Sequence, residues 1–316
     1  MYVLAIETTG KYGTAAVIRD DGCVFAASSD TEMNHLRDII SISDEAIKRA
    51  GIDKMDLTHV AASRGPGSFT GIRIGVTTAR TLSQILGIPC VAVSSLEAMA
   101  YRVLDAAADA SCTYVVPLIN ARRHQVYAGI WEIARAENSN ADASENDSGK
   151  DQKRDNIRDN IKNRYSLKAS GDEKQYMIEE LLDELKKRIC NKDGIGSKAG
   201  TGSPAAVFFT GDGIDAYSDI IHETLAAGIF IEADESIRYQ HAEDVARIAI
   251  KKAAAGQTLS YNELLPEYMR LAEAEQRLKA GTLSEKIKKA GGLTGVTGGS
   301  TDDNTADSRD RATEKL

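Results

Sequence analysis

The sequence has no long apolar run, no closely spaced cysteines and no dense stripe of lysine and arginine. A membrane span needs about twenty consecutive apolar residues, and no segment supplies them. The chain opens directly on an apolar strand, Tyr2 to Ile6, with no basic leader ahead of it, so a cytoplasmic protein is expected. The four cysteines, Cys23, Cys90, Cys112 and Cys190, are scattered, which excludes a disulfide framework or a zinc knuckle and fits a reducing compartment. Cys23 and Cys90 fall in apolar strand-like runs, where a small buried thiol is expected. A formal net charge of −8 argues against a chain that grips nucleic acid by itself, because phosphate binding needs a basic footprint. The histidines, His35, His59, His124, His222 and His241, stand far apart with no HxxxH pair, so no metal site is expected.

What remains is ample for a core. Of the 316 residues, 42% are apolar, enough for one large domain or two ordinary ones. Tyr2 to Ile6 and Thr14 to Arg19 read as short strands, and Asp20-Asp21-Gly22 before a third, Cys23 to Ala27, is a tight-hairpin signal. The polar loop Glu7-Thr8-Thr9-Gly10 follows the first strand. A helix is expected over about Met33 to Ala50, where Leu36, Ile39, Ile40, Ser43, Ala46, Ile47 and Ala50 keep a helical period up to Gly51. A strand from Leu57 to Ala62, a helix ending at Leu86 before Gly87 and a strand from Ile88 to Val93 follow. Ser94 or Ser95 then caps the next helix. This alternation predicts an α/β sheet with helices packed on it.

A second unit begins near Thr113, with strands expected over Thr113 to Ile119 and Gln125 to Ile133 around Asn120-Ala121-Arg122-Arg123. From about Ala134 to Ala169 the composition collapses to Asn, Asp, Ser, Lys and Arg, which cannot bury a core and reads as a polar surface insertion. A helix from Glu173 to Ile189, a Gly/Ser-rich loop, a strand from Ala206 to Thr210 and helices over Ile214 to Ala226 and His241 to Ala255 complete the expected elements. The expected domains are an N-terminal lobe over 1–106, a C-terminal lobe over 107–272 with the insertion at about 134–169, and a low-complexity tail over 273–316. No fixed-period repeat is present, although two successive strand-and-helix units suggest a duplicated architecture.

The sharpest local feature is Gly65-Pro66-Gly67-Ser68-Phe69-Thr70-Gly71, between a strand and a helix. A glycine-rich turn at a helix N-terminus offers backbone N–H groups and a positive dipole end suited to a phosphate. That makes Gly65, Gly67, Ser68, Thr70 and Gly71 candidates for holding a nucleotide, with Arg73 adding charge. The plainer alternative is that the glycines permit a tight turn and close helix approach. The segment is neither a P-loop nor a GxGxxG fingerprint. Downstream, Gly71, Gly75 and Ala79 recur every fourth residue as a ridge of small residues flanked by Ile72, Ile74 and Val76. Such a ridge admits another helix closely, either the chain's own or a partner's. Glu7 stands where an actin-like ATPase places an acid for metal-bound phosphate, and it serves equally as a hydrogen-bonding loop residue. Gly211-Asp212-Gly213 reads as a nucleotide-facing turn or as a plain strand-to-helix turn. Ser68 has no His and Asp partners in motif form, so a serine hydrolase is not expected.

Ser63 to Gly75, continuing to Pro89 and to Val93-Ser94-Ser95-Leu96-Glu97-Ala98, closely resembles the TsaB (YeaZ) family. Leu4-Ala5-Ile6-Glu7-Thr8, Asn34-His35-Leu36, Asn120-Ala121-Arg122-Arg123-His124-Gln125-Val126-Tyr127 and Leu265-Pro266-Glu267-Tyr268-Met269-Arg270 resemble further segments of that family. The resemblance covers about Met1 to Ile133 well and Phe208 to Arg270 more loosely. Glu7 and Asn120 depart from it, each standing where the family more often has Asp.

The resemblance implies an actin-like ATPase (ASKHA, RNase H-like) fold with two related lobes. It also implies a non-catalytic dimerisation subunit that activates a catalytic paralogue, TsaD, and works with a small ATPase, TsaE. Together they would place a threonylcarbamoyl group on N6 of adenosine 37 in tRNAs reading ANN codons, with tRNA contacted only through the complex. The family's subunit contact uses its first two helices, which map here to His35, Leu36, Ile39, Ile40, Ser43, Gly71, Ile72, Gly75, Val76 and Ala79. A homodimer through the same helices, and a nucleotide (ATP or ADP) at a subunit interface, are further implications. The competing reading is an ASKHA-type ATPase or kinase, or a protease, acting on its own. The missing metal pair and nucleophile constellation count against it.

Overall fold

The computed structural model describes residues 1–29, 35–135, 165–193 and 207–269. The first sheet is built from β1 (Tyr2–Glu7), β2 (Thr14–Arg19), β3 (Val24–Ser28), β4 (His59–Ser63) and β5 (Cys90–Val93) in the order β3-β2-β1-β4-β5. β1 to β3 form the antiparallel meander, turned at Asp21-Gly22 with Gly22 at φ +88°, while β4 and β5 run parallel to β1. β1 and β4 are buried on both faces, which is why they read as continuous apolar runs rather than alternating ones. Leu4 and Ile6 point towards α1 (His35–Arg49) and α2 (Phe69–Leu86), whereas Val3 and Ala5 point to the opposite face.

The second sheet repeats this plan. It follows β6 (Tyr114–Arg122), β7 (Gln125–Ala128), β8 (Trp131–Arg135), β9 (Tyr165–Ala169), β10 (Lys174–Met177), β11 (Val207–Thr210) and β12 (Phe230–Glu232) along the chain. Its spatial order is β10-β7-β6-β11-β12, with β6, β7 and β10 antiparallel in sequence and β11 and β12 parallel to β6. Strand for strand this matches the first sheet, and the β8–β9 hairpin is an addition to it. Two such lobes constitute the actin-like ATPase fold, and the duplication that the sequence suggests is real.

The helices join the lobes. α3 (Ser95–Arg102) and α4 (Leu104–Asp109) lead from the first sheet to the second, and α5 (Ile178–Asp193), α6 (Gly213–Thr224) and α7 (Glu235–Arg238) belong to the second half of the chain. α8 (Ala242–Ala254) returns to the first lobe and packs on β1, β2, β4 and β5. Its Ala242, Val245, Ala246, Ala249 and Ala253 form a small-residue face in the core with Val3 and Ala5. A boundary near residue 107 therefore separates the sheets but not the helices.

Several expectations change. Gln125 to Ile133 is two strands rather than one, broken at Gly129, where a Cβ would lie 2.6 Å from the Trp131 ring. The helix expected from Glu173 starts at Ile178, because Lys174–Met177 pairs with β7 and buries Tyr176. Cys23 is exposed beside the turn, while Cys90 is buried as expected. The two ends of the polar segment at about 134–169 pair with each other, Arg135 with Tyr165 and Ala134 with Ser166. Residues 136–164 and the tail after 269 lie outside the described residues.

Candidate functional site at the strand ends and outer helices

In parallel α/β sheets, chemistry collects outside the carboxyl ends of the central strands. In the first lobe those ends are Glu7 of β1, Ser63 of β4 and Val93 of β5, followed by Ser94, whose Oγ caps α3 by accepting from Leu96 N and Glu97 N. Glu7 is fully enclosed, with 0% of its surface exposed. Its carboxylate accepts from Thr9 N at 2.5 Å, Thr9 Oγ1 at 2.6 Å and Ser63 Oγ, and Thr9 Oγ1 meets Ser95 Oγ at 2.9 Å. Burial pushes the Glu7 carboxyl above its ordinary pKa, opposed by the hydrogen bonds from Ser63 and Thr9. Thr8, Thr9, Ser63 and Ser95 are themselves buried, so Glu7 reaches no solvent ligand. It is the hydrogen-bonding loop residue rather than a metal-facing acid.

The Gly65–Gly71 loop closes over this group. Gly67, at φ +153°, has the Thr9 carbonyl 2.6 Å from where a Cβ would lie, and Gly65, at φ +119°, has the Glu267 carbonyl at the same distance. A Cβ on Gly71 would overlap the Thr8 carbonyl. Ser68 N donates to Thr9 O at 2.9 Å, and Ser68 Oγ caps α2 by accepting from Gly71 N. Where side chains would stand, these glycines meet carbonyl oxygens, so the close approach of loop and helix requires them. These contacts are those of a tight turn with close helix approach. Thr70 is exposed at the start of α2.

The small-residue ridge also faces inward. Gly71, Ile72, Gly75, Val76 and Ala79 are buried in the chain's own core, with Thr8 Oγ1 2.5 Å from a Cβ placed on Gly75. The ridge is therefore not free surface, which corrects the expectation that it meets a partner directly. On α1, Ile39 and Ser43 are likewise buried, Ser43 Oγ donating to Ile39 O at 2.7 Å. Ile40 is 60% exposed. The side chains of His35 and Leu36 lie outside the described residues. The outward faces carry Ile40, Asp44 and Lys48 on α1 and Arg73, Thr77, Thr81 and Ile85 on α2, with Ile85 74% exposed.

The segment after α8 ties α2 down. Leu259 bridges Cys90, Leu264 is fully buried, and Glu267 N donates to Arg64 O at 2.8 Å. Arg73 Nε then donates to Tyr268 Oη at 2.9 Å, and the Phe69 and Tyr268 rings lie 4.8 Å apart. Arg270 lies outside the described residues.

In the second lobe the strand ends are built differently. Gly211 and Gly213 pack against the Leu118 backbone, as a plain strand-to-helix turn requires. Beyond that level β6 continues past the end of β11 and pairs with β7, which is flanked by β10 up to Gln125, with a register shift between Asn120 and Arg122. Arg122, Arg123 and His124 have φ of +64°, +54° and +59°, three consecutive non-glycine residues in the left-handed region. Each costs on the order of 1 kcal/mol there. Several contacts hold the turn: Arg122 N donates to Asn120 Oδ1 at 2.8 Å, Asn120 N to Asp212 Oδ1 at 2.9 Å and Tyr217 Oη to Gln125 O at 3.3 Å. Ile178 N donates to His124 O at 2.9 Å, and His124 Nδ1 lies 3.4 Å from Glu179. The sequence shows two arginines here but not the backbone they occupy. The available signal is a hairpin turn that lacks Gly or Asn-Gly at its tip.

The other described histidines serve locally. His222 pairs with Glu232 at 3.3 Å, His59 meets Thr58 Oγ1, and His241 precedes α8 with its pKa pushed down to about 4, first by burial and then by Arg102. No helix of the described residues is long and apolar enough to cross a membrane.

Residues 28–279 match the family model of TsaD, tRNA N6-adenosine threonylcarbamoyltransferase. The chain is 34% identical over 134 residues to the tRNA threonylcarbamoyladenosine biosynthesis protein TsaB of Bacillus subtilis, covering 42% of this chain and 56% of that one. It is 34% identical over 139 residues to the protein of the same name from Escherichia coli, covering 44% and 57%. The chain thus spans a little over half the length of these curated relatives. Among solved structures, YeaZ from Pseudomonas aeruginosa superposes with a TM-score of 0.59 at 19% identity, over 84% of this chain and 99% of that one, a likeness of fold.

Proposed function

This chain belongs to the family of the TsaD model, which it matches over residues 28–279, and from that membership and its likeness to TsaB proteins we propose that it is a TsaB-type, non-catalytic dimerisation subunit in tRNA threonylcarbamoyladenosine biosynthesis. It holds and activates a TsaD-type transferase, alongside a TsaE-type ATPase, in the cytoplasm. The threonylcarbamoyl group goes to N6 of adenosine 37 of a tRNA held by the assembled complex.

The observation that carries this reading is the closed end of the first sheet. An α/β enzyme opens its reacting groups at the carboxyl ends of its central strands. Here Glu7, Ser63, Thr9 and Ser95 bond to one another and bury that position. Among the exposed large apolar side chains of the described residues are Ile40 on α1 and Ile85 on α2. A buried strand end beside exposed apolar positions on the outer helices supports a subunit that acts by contact. The interface is accordingly assigned to the outward residues Ile40, Asp44, Lys48, Arg73, Thr77, Thr81 and Ile85, with the buried ridge setting how closely α2 lies on its own sheet.

The test is reconstitution of threonylcarbamoyl transfer to a tRNA bearing adenosine 37, using purified TsaD- and TsaE-type proteins and the enzyme that makes the threonylcarbamoyl adenylate, with and without this chain. Transfer that depends on the chain, with no turnover of ATP by the chain alone, is the expected result. Undiminished transfer without it, or ATP turnover by the lone chain, overturns the reading.

A further inference from the structure

We propose that Glu173 is a pH-sensitive clasp on the strap formed by residues 256–269: uncharged, it leaves the strap held against the first lobe, and its ionisation loosens residues 265–269 from α2. Glu173 stands in the turn between β9 and β10 of the second lobe, whereas the strap, Arg64 and Ser94 pack with the first.

The charges around Glu173 are unevenly matched. Ser94 Oγ donates to Glu173 Oε2 at 2.5 Å across the lobe boundary. Glu267 of the strap and Glu97 of α3 act on Glu173 as like charges, and Arg64 of the β4–α2 loop acts as the opposing one. Lys252 of α8 is held by Glu97 at 2.6 Å. On the turn itself, Asp172 adds a further acid, and Lys174 Nζ lies 4.5 Å from the centre of the Tyr176 ring. Arg64 therefore serves two carboxyls, Glu267 and Glu173. Its Nε lies 2.9 Å from Glu267 Oε2, yet that oxygen is buried and accepts no hydrogen bond among the described residues. An ion pair without hydrogen-bond geometry gives way readily to a competing charge.

The end of the strap depends on that pair. Upstream, Leu259 bridges Cys90 and Leu264 is fully buried, so the core anchors the strap there. Beyond Leu264, Glu267 N donates to Arg64 O at 2.8 Å, Arg73 Nε donates to Tyr268 Oη at 2.9 Å, and Met269 packs on the cluster that holds Trp131. When Glu173 ionises, Glu267 and Glu97 repel it and Arg64 is drawn towards it, which weakens the hold of Arg64 on Glu267. Burial first, then Glu267 and Glu97, raise the Glu173 pKa above its ordinary value of 4.5, opposed by the Ser94 hydrogen bond. The stabilisation is therefore complete below the unfolded pKa and is lost as pH rises through the folded one. Tyr268 also orders Arg73, so the clasp sets the order of a helix face assigned above to the partner. That consequence rests on the proposed function, whereas the clasp itself does not.

The experiment follows amide hydrogen exchange of residues 264–269 in the full chain, comparing wild type with Glu173→Gln at a series of pH values from 4.5 upward. Glutamine still accepts from Ser94 but cannot ionise, and the two forms share the same intrinsic exchange rates in this segment at each pH. The ratio of wild-type to Gln exchange is expected near one at pH 4.5 and to rise about tenfold as pH increases, the change that one pKa unit of differential interaction produces. Trp131, the chain's single tryptophan, lies with Glu173 beside Gly129, so its fluorescence records the ionisation separately. A flat ratio overturns the clasp, whether or not the fluorescence titrates. Faster exchange in the Gln form overturns it too, because the charge would then be holding the strap. The lone chain is measured, so a failure to bind the partner counts against the proposed function and leaves this result unaffected.

Discussion

Thr8 Oγ1 lies 2.5 Å from the point where a Cβ on Gly75 would sit, and it donates to Gly71 O at 2.7 Å. The β1–β2 loop is thereby locked onto the inner face of α2 without room for a methyl group. Gly75→Ala is expected to cost about 1–3 kcal/mol by overpacking. The loss should appear as a lower Tm, by roughly 2–4 °C per kcal/mol for a protein of this size. In a double-mutant cycle, Thr8→Ala should recover part of the loss, because it removes the obstructing atom. Strict additivity of the two changes would show that the contact does not set the helix position.

The same contact dictates where the partner interface is to be tested. An arginine at Gly75 is expected to unfold the lone chain, so it reports nothing about a partner. Ile40→Asp and Ile85→Asp change exposed side chains on the outer faces of α1 and α2. Each is expected to leave the circular dichroism spectrum and Tm of the lone chain unchanged. Binding to the TsaD-type partner should weaken by about 30-fold or more at a residue that anchors the contact, corresponding to about 2 kcal/mol. Titration calorimetry reads this directly. Wild-type affinity in both variants would place the interface elsewhere.

The alternation of strands and helices, the Asp-Gly hairpin, the glycine helix ends and the Ser94 cap were legible in the sequence because each is a local rule with a local cause. The duplication was legible only as a hint, since topology rather than residue spacing carries it. Lys174–Met177 reads as helix because its alternation is short and it runs straight into the helical period of α5. The direction of the Gly71-Gly75-Ala79 ridge was beyond the sequence as well: small residues at every fourth position show that something approaches closely, not what approaches. The same holds for Glu7, whose role depends on Ser63 and Ser95, residues brought beside it only by the parallel pairing of β4 and by the start of α3.

Glu7 makes the stability of the fold depend on pH in a defined direction. Burial raises its folded-state pKa above the ordinary value of 4.5, so the folded chain holds that proton more tightly than the unfolded chain does. The resulting stabilisation is complete below the unfolded pKa and is lost as pH rises through the folded one. Glu7→Gln cannot ionise and lacks this dependence. As pH rises above the ordinary carboxyl value of 4.5, wild type is therefore expected to lose stability relative to the Gln form, measured by urea unfolding at each pH. Parallel profiles for the two proteins would mean that the buried carboxyl titrates as it does in the unfolded chain.

Ser94 supplies the last prediction, because one hydroxyl does two jobs there. Its Oγ accepts from Leu96 N at 3.2 Å and Glu97 N at 3.3 Å, and its proton goes to Glu173 Oε2 at 2.5 Å, between the β9 and β10 strands of the other lobe. Ser94→Ala removes the cap, worth about 1 kcal/mol, and leaves a largely buried carboxyl without its donor, a further cost of about 1–3 kcal/mol. Glu173→Gln differs, because the amide oxygen still accepts from Ser94. Burial, with Glu267 and Glu97 nearby, already raises the Glu173 pKa, so neutralising the side chain removes a disfavoured charge. The Gln variant should stay within about 0.5 kcal/mol of wild type in denaturant unfolding, whereas the Ser94 variant loses most of the sum above. Equal losses in both would show that the negative charge on Glu173, rather than the shared hydroxyl, holds the two lobes at this point.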